Sequence, residues 1–306
     1  NEIEGKTYQI YGQMTKYFIG KIEIICNRLK KGNREKGKNI MKFNPKEFFL
    51  IAGPCVAENQ KVCFQIAEKL QEIISEYKIQ LIFKASYTKA NRSSSDSYRG
   101  PGLKAGLKIL ESVKNKFGLP VITDIHECYE VDEIRQTVDF LQIPAFLSRQ
   151  TELLEKAGQS GLWVNIKKGQ FLAPWDIKNA VEKVESTGNS KVLVTERGSS
   201  FGYNNLVIDY RGMILMLREK LNLVFDATHS VQTPSSHGKS SGGDRSLAPE
   251  LAYAAAAIGV KGFFFETHPN PEKALCDGPN SLYLKDMKKV VKNLLEITEL
   301  RKKRIG

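Results

Sequence analysis

No stretch of this sequence approaches the ~20 uninterrupted apolar residues that a membrane-spanning helix requires, which argues against a helical membrane protein. Hydrophobic residues make up 41% and charged residues 26%, and with a mean hydropathy of -0.33 a soluble protein is expected. Cysteine is scarce. The five that occur, Cys26, Cys55, Cys63, Cys128 and Cys276, are odd in number and widely spaced. That usage excludes a disulfide framework and implies a reducing compartment, so a cytoplasmic location is expected. Neither G-x-G-x-x-G nor G-x-x-x-x-G-K-[ST] occurs, which removes the usual dinucleotide and P-loop sites. No internal repeat is visible.

Acidic residues are under-represented: 34 against 46 basic ones, for a net charge of +12. Such an excess fits nucleic acid, an anionic surface or anionic small substrates. Residues 1 to 40 hold nine Lys/Arg and four Glu, so this short segment carries much of the excess. The body has no basic cluster interleaved with aromatics, which argues against nucleic acid and leaves a non-catalytic RNA-binding protein as the reading from another class. The first 40 residues include the run Lys30 to Lys38 and read as a basic, flexible extension. An authentic start at Met41, a targeting presequence and a short hairpin through Tyr8, Ile10, Tyr17 and Ile19 all stay open.

From Phe48 onward, short apolar runs alternate with longer amphipathic ones. The runs predict strands at 48–52, 80–85, 120–124, 138–143, 162–166, 191–195, 222–226 and 262–266. Helices are predicted at 58–77, 102–117, 127–136, 150–158, 174–186, 212–220, 247–258 and 281–302. Eight βα units returning by right-handed crossovers predict an α/β fold, a single-domain (β/α)8 TIM barrel over residues 41–306.

In such a barrel function sits beyond the carboxyl ends of the strands. Those ends are unusually rich in charged and metal-capable residues. Lys84, Lys89, Arg92, Lys167 and Arg197 arise from three strand ends, and together they suit substrates bearing carboxylate and phosphate. Asn91-Arg92-Ser93-Ser94 supplies a guanidinium and hydroxyls in a turn that can cradle phosphate. Cys55, His229, Glu266 and Asp277 combine thiolate, imidazole and two carboxylates, a set suited to divalent Zn, Fe or Mn. Taken singly, each reads as an ordinary core cysteine or loop residue, and only a shared place at the mouth favours the ion. Cys63, Cys128, Cys276 and His237 read as structural. The small-residue loop Pro234 to Arg245 reads either as a mobile cover over the mouth or as plain surface.

Several runs resemble the 3-deoxy-D-manno-octulosonate 8-phosphate synthase family. They include Ile51-Ala52-Gly53-Pro54-Cys55, Phe83-Lys84-Ala85-Ser86, Lys89-Ala90-Asn91-Arg92-Ser93-Ser94, Thr123-Asp124-Ile125-His126, Val164-Asn165-Ile166-Lys167-Lys168-Gly169, Asp226-Ala227-Thr228-His229 and Phe265-Glu266-Thr267-His268-Pro269. The resemblance spans about residues 47 to 300. It implies condensation of phosphoenolpyruvate with D-arabinose 5-phosphate and water, a step of lipopolysaccharide-type sugar acid biosynthesis, in a cytoplasmic homotetramer acting on neither membrane nor nucleic acid.

By resemblance, Lys84, Lys89, Lys167 and Arg197 hold phosphoenolpyruvate and Asp124 acts beside them. Asn91, Arg92 and Ser93 hold the pentose phosphate, while Gln142, Pro144, Ala145, Phe146 and Gln232 complete the substrate site. Cys55, His229, Glu266 and Asp277 bind the metal. The family has a metal-dependent branch with Cys in the first loop, which Cys55 matches, and a metal-independent branch that Cys276-Asp277-Gly278-Pro279 resembles. The related erythrose 4-phosphate synthases read Lys-Pro-Arg-Thr where this chain reads Lys89-Ala90-Asn91-Arg92, so the Ala-Asn pair implies the pentose.

Overall fold

A computed structural model of the chain describes residues 43–91, 97–233 and 242–305. The expectations for residues 1 to 40, for Arg92 and Ser93, and for most of the 234–245 loop with His237 fall outside these. No helix among the described residues is long and apolar enough to cross a membrane.

Eight strands form within two residues of the predicted runs: β1 (Phe49–Gly53), β2 (Gln80–Lys84), β3 (Val121–Asp124), β4 (Phe140–Ile143), β5 (Trp163–Lys167), β6 (Val192–Glu196), β7 (Leu223–Asp226) and β8 (Gly262–His268). Each pairs in parallel with the next. β1 also pairs with β8, from Phe49 opposite Gly262 to Gly53 opposite Glu266, which closes the (β/α)8 barrel. The helices are α1 (Gln60–Tyr77), α2 (Leu103–Phe117), α3 (Val131–Ile134), α4 (Thr151–Gln159), α5 (Ile177–Glu185), α6 (Tyr210–Arg218), α7 (Leu247–Ile258) and α8 (Met287–Ile305). In α1 the Asn59 side chain accepts from Val62 N at 2.9 Å, an N-cap, and Cys63, Ile66, Leu70 and Ile73 form the buried face.

The alternation of strand side chains sorts the interior. Leu50, Ala52, Phe83, Val194, Phe263 and Phe265 join the layer between sheet and helices, whereas Phe49, Ile51, Ile82, Ile122, Phe140, Leu193, Val224 and Phe264 fill the lumen. Phe43 packs on that lumen cluster, edge-on to Phe49, Phe140 and Trp163 at centroid distances of 5.0 to 5.2 Å. Phe43→Ala is therefore expected to cost about 2–4 kcal/mol of stability, a large aromatic lost from a packed site. The denaturation midpoint should fall while kcat stays within twofold, because the ring lies on the apolar lumen layer below the polar one.

Two helices differ from expectation. The 127–136 stretch begins as a 3₁₀ turn at Cys128–Glu130, with the Glu130 carboxylate accepting from His126 N and Glu127 N at 2.8 and 3.1 Å. The final helix starts at Met287 rather than 281. Asp277 O accepts from Asn280 N and Ser281 N, and the resulting turn leaves Leu282–Tyr283 extended and paired in parallel with Thr267 and His268.

Candidate active site and metal centre

On six strands the lumen face turns polar two residues beyond an apolar position: Ile82 gives way to Lys84, Ile122 to Asp124, Phe140 to Gln142, Leu193 to Thr195, Val224 to Asp226 and Phe264 to Glu266. A hydrogen-bonded belt crosses this layer. Thr195 Oγ1 donates to Asn165 Oδ1 at 2.6 Å, Asn165 Nδ2 to Gln142 Oε1 at 2.9 Å, and Gln142 Nε2 to Asp124 Oδ1 at 2.6 Å. Ser86 Oγ closes the belt on Asp124 Oδ2. Every member is buried, so each bond is costly to break. Asn165→Leu strands the Gln142 and Thr195 oxygens and is expected to cost about 2–4 kcal/mol, readable as a shifted urea midpoint.

Cations crowd the same layer. Lys84 Nζ donates to Glu266 Oε1 at 2.8 Å and to Cys55 O at 2.9 Å, and Lys89 Nζ lies 3.8 Å from the same carboxylate oxygen. Lys167 Nζ pairs with Asp226 Oδ2, lies 3.4 Å from His229 Nδ1 and sits 3.9 Å over the Phe264 ring centroid. Arg197 Nη2 donates to Gln232 Oε1 at 2.6 Å, whereas its Nη1 is buried without a partner among the described residues. Burial pushes the carboxyls of Asp124, Asp226 and Glu266 up, but facing lysines, histidines and hydrogen-bond donors outweigh it and hold all three well below the usual carboxylate range. The groups facing them are Lys84, Lys89 and His126 at Asp124, His229 and Lys167 at Asp226, and Lys84, His229 and Lys89 at Glu266. Burial draws Lys167 below its ordinary value, with Asp226 opposing and Lys84 adding to the shift.

The metal-capable donors meet beside these groups. Cys55 Sγ lies 3.1 Å from Asp277 Oδ2, while His229 Nε2 lies 3.9 Å from that oxygen and 3.5 Å from Glu266 Oε1. Donors bound to one ion at about 2.0–2.3 Å stand roughly 3–4 Å apart, so His229, Glu266 and Asp277 are spaced for a single divalent cation, and Cys55 adjoins them through the same Asp277 oxygen. Two further observations agree. Glu266 Oε2 is buried with no partner among the described residues. His229 Nδ1 is 2.7 Å from Asp226 Oδ2, which fixes the proton on Nδ1 and leaves the Nε2 lone pair for a metal. Burial, Cys276 and Asp277 push the Cys55 thiol far up, so a cation bound at the sulfur is what would favour its thiolate.

The structure thus brings Lys84, Lys89, Lys167, Arg197, Asp124, Gln142 and Gln232 to one end of the barrel with Cys55, His229, Glu266 and Asp277. Lys84, Asp124, Gln142, Lys167 and Glu266 lie in the barrel strands themselves, and the others on the segments just beyond them. Asn91 is exposed, and Pro144 and Ala145 are half-buried. Phe146 is 56% exposed, on the rim rather than inside. Lys168 and Glu196 face outward from the lumen and pair with each other at 3.3 Å. Reading by residue type missed Ser86, Asn165 and Thr195, although their spacing two residues beyond apolar lumen positions, or at the next turn, was available. It left Asp226 without a role, despite its i,i+3 spacing to His229. It also took Cys276 as structural, whereas Cys276 Sγ lies 2.8 Å from Cys55 Sγ. A lone cysteine beside a turn gives no sequence signal of that proximity.

A closed eight-stranded barrel with cations and a metal-capable donor set at the carboxyl ends of its strands defines the class, a (β/α)8 protein built around one polar mouth. Within that class the chain belongs to the DAHP synthetase I family, whose sequence pattern matches residues 27–303. It is 56% identical over 248 residues to the 2-dehydro-3-deoxyphosphooctonate aldolase of Desulfatibacillum aliphaticivorans, covering 81% of this chain and 91% of that protein. Proteins of the same name from Syntrophotalea carbinolica and Fusobacterium nucleatum are 55% identical over 248 residues and 50% identical over 268. The Fusobacterium alignment covers 88% of this chain and 96% of its relative.

Proposed function

We propose that this chain is the transferase its relatives are named for. It joins C3 of phosphoenolpyruvate to the aldehyde carbon of D-arabinose 5-phosphate, adds water at C2 and breaks the C2–O bond, releasing phosphate and 3-deoxy-D-manno-octulosonate 8-phosphate. The observation that carries the reading is the unpartnered Arg197 Nη1 in a layer shared with Lys84, Lys89 and Lys167. A buried guanidinium nitrogen without an acceptor is costly unless an anion completes it.

In this reading Lys84, Lys89, Lys167 and Arg197 hold the carboxylate and phosphate of phosphoenolpyruvate, with Gln232 positioning Arg197. The lysines act as fixed charges; a Schiff base has no purpose when the pyruvyl unit arrives as an enol ether. Asp124, kept ionised by its neighbours and oriented by Ser86 and Gln142, orients the sugar. Pro144, Ala145 and Phe146 shape its entry, and Asn91, Arg92 and Ser93 take the sugar phosphate. The Ala90-Asn91 pair favours the pentose over erythrose 4-phosphate. Cys55, His229, Glu266 and Asp277 would hold a divalent Zn, Fe or Mn ion, which when bound polarises the aldehyde or orients the water. The exposed aromatics Phe146, Phe171, Trp175, Phe201 and Tyr203 offer surface for self-association, in keeping with the homotetramer that the resemblance implies, and the free cysteines support a cytoplasmic site of action.

The bond that breaks gives a direct test. With phosphoenolpyruvate labelled by ¹⁸O at the bridging oxygen, the label is expected in released phosphate, seen as an isotope-shifted ³¹P resonance. Label retained in the sugar acid would mean P–O cleavage and would overturn the mechanism.

A further inference from the structure

We infer that Cys276 is a second thiolate ligand of the metal centre, so that the ion is held by Cys55, Cys276, His229, Glu266 and Asp277. The inference rests on the metal-site reading above and deepens it. Cys276 is 2% exposed, its sulfur lies 2.8 Å from Cys55 Sγ and 3.4 Å from Asp277 Oδ2, and Cys55, Cys276 and Asp277 alone form a group compact enough to hold an ion. A second compact group, His229, Glu266 and Asp277, shares the Asp277 carboxylate. The two groups meet at that carboxylate, so a small closing movement around an ion would join them into one donor set, and the buried, unpartnered Glu266 Oε2 points independently to a cation there.

Backbone geometry explains how neighbouring residues both reach the same place. Consecutive side chains in an extended segment face opposite ways, but Asp277 is left-handed at φ 47° and reverses the chain, so the Cys276 and Asp277 donor atoms come together. The turn is fixed at both ends. Leu275 N donates to Glu58 Oε1 at 2.8 Å, and Asp277 O accepts from Asn280 N and Ser281 N at 3.1 and 3.0 Å. At Gly278 a Cβ would stand 2.4 Å from Pro271 O, so only glycine lets the turn lie this close. Strain of this kind is retained where the surroundings over-determine it.

The chemical consequence is selectivity. Two thiolates and an imidazole make a soft site that favours Zn or Fe(II) over Mn or Mg. Two thiolates and two carboxylates also bring excess negative charge, which Lys84 and Lys89 are placed to offset through Glu266.

Zinc-edge X-ray absorption on the full-length protein, reduced and loaded with Zn(II), tests this without reference to turnover. The expected spectrum has two sulfur scatterers at about 2.3 Å, falling to one in Cys276→Ala and in Cys276→Ser. Titration with Co(II) should show a thiolate-to-metal charge-transfer band that loses about half its intensity in either variant, with affinity weakened by about 10-fold or more. One sulfur in the unaltered protein, or a band unchanged by both substitutions, would overturn the role of Cys276 and leave the four-ligand site standing. No zinc bound at all would overturn both. A Cys55–Cys276 disulfide persisting under reductant, seen as a 2 Da mass deficit, would also overturn it.

Discussion

Lys167→Met is expected to lower kcat/KM for phosphoenolpyruvate by about 10³-fold or more, the scale at which removing one preorganised charge costs roughly 4 kcal/mol of transition-state stabilisation. Lys167 Nζ is held between Asp226, His229 Nδ1 and the face of Phe264, with its side chain 8% exposed. Little water screens it, so its charge acts at low effective dielectric on whatever anion enters. Burial draws its proton affinity down and Asp226 partly offsets this, so Asp226→Asn should weaken the same step through Lys167. Methionine preserves the length and the packing on Phe264, which lets circular dichroism confirm a folded barrel. A rate within tenfold of the unaltered enzyme would remove Lys167 from the substrate site.

Exhaustive chelation should reduce phosphate release by about 100-fold or more, with recovery on adding back Zn(II) or Fe(II). Cys55, Glu266 and Asp277 bring acidic donors within 4 Å of one another or of His229, and Glu266 Oε2 has no protein partner among the described residues. The fold should persist without the ion, because the lumen cluster from Phe49 to Phe264 and the closing β1–β8 pairing involve none of these donors except Glu266. Lost activity with an unchanged thermal transition is thus the expected pattern. Cys55→Asn should abolish recovery by metal. Full turnover after exhaustive chelation would contradict the assignment of the donor set.

The barrel was legible because every strand is an apolar run, such as Phe49 to Gly53, which is buried on both faces, and most runs turn polar at their ends, as Phe83-Lys84 and Phe265-Glu266 do. Helix boundaries were legible where side chains set them, as Asn59 does. The 281–286 stretch misled because Leu284 continues the helical spacing of Met287, Val291 and Leu294, while the deciding interaction, pairing of Leu282 and Tyr283 with Thr267 and His268, is long-range. At the site, residues with unusual chemistry stood out by type: Lys84, Lys167, Arg197, Cys55, His229 and Glu266. The orienting amides and hydroxyls did not, since Asn165 and Thr195 look ordinary until the lumen face is known. Cys276 lay beyond sequence reasoning because its relation to Cys55 depends on a left-handed Asp277 and on a chain closure across 221 residues.

The most direct test of the central claim is a steady-state comparison of phosphate release from phosphoenolpyruvate with D-arabinose 5-phosphate and with D-erythrose 4-phosphate as the aldose. The account predicts efficient turnover with the pentose and at least 100-fold lower kcat/KM with the tetrose, the discrimination that a site built for particular hydroxyl contacts can reach. Preference for erythrose 4-phosphate, or no phosphate release with either sugar, would contradict it.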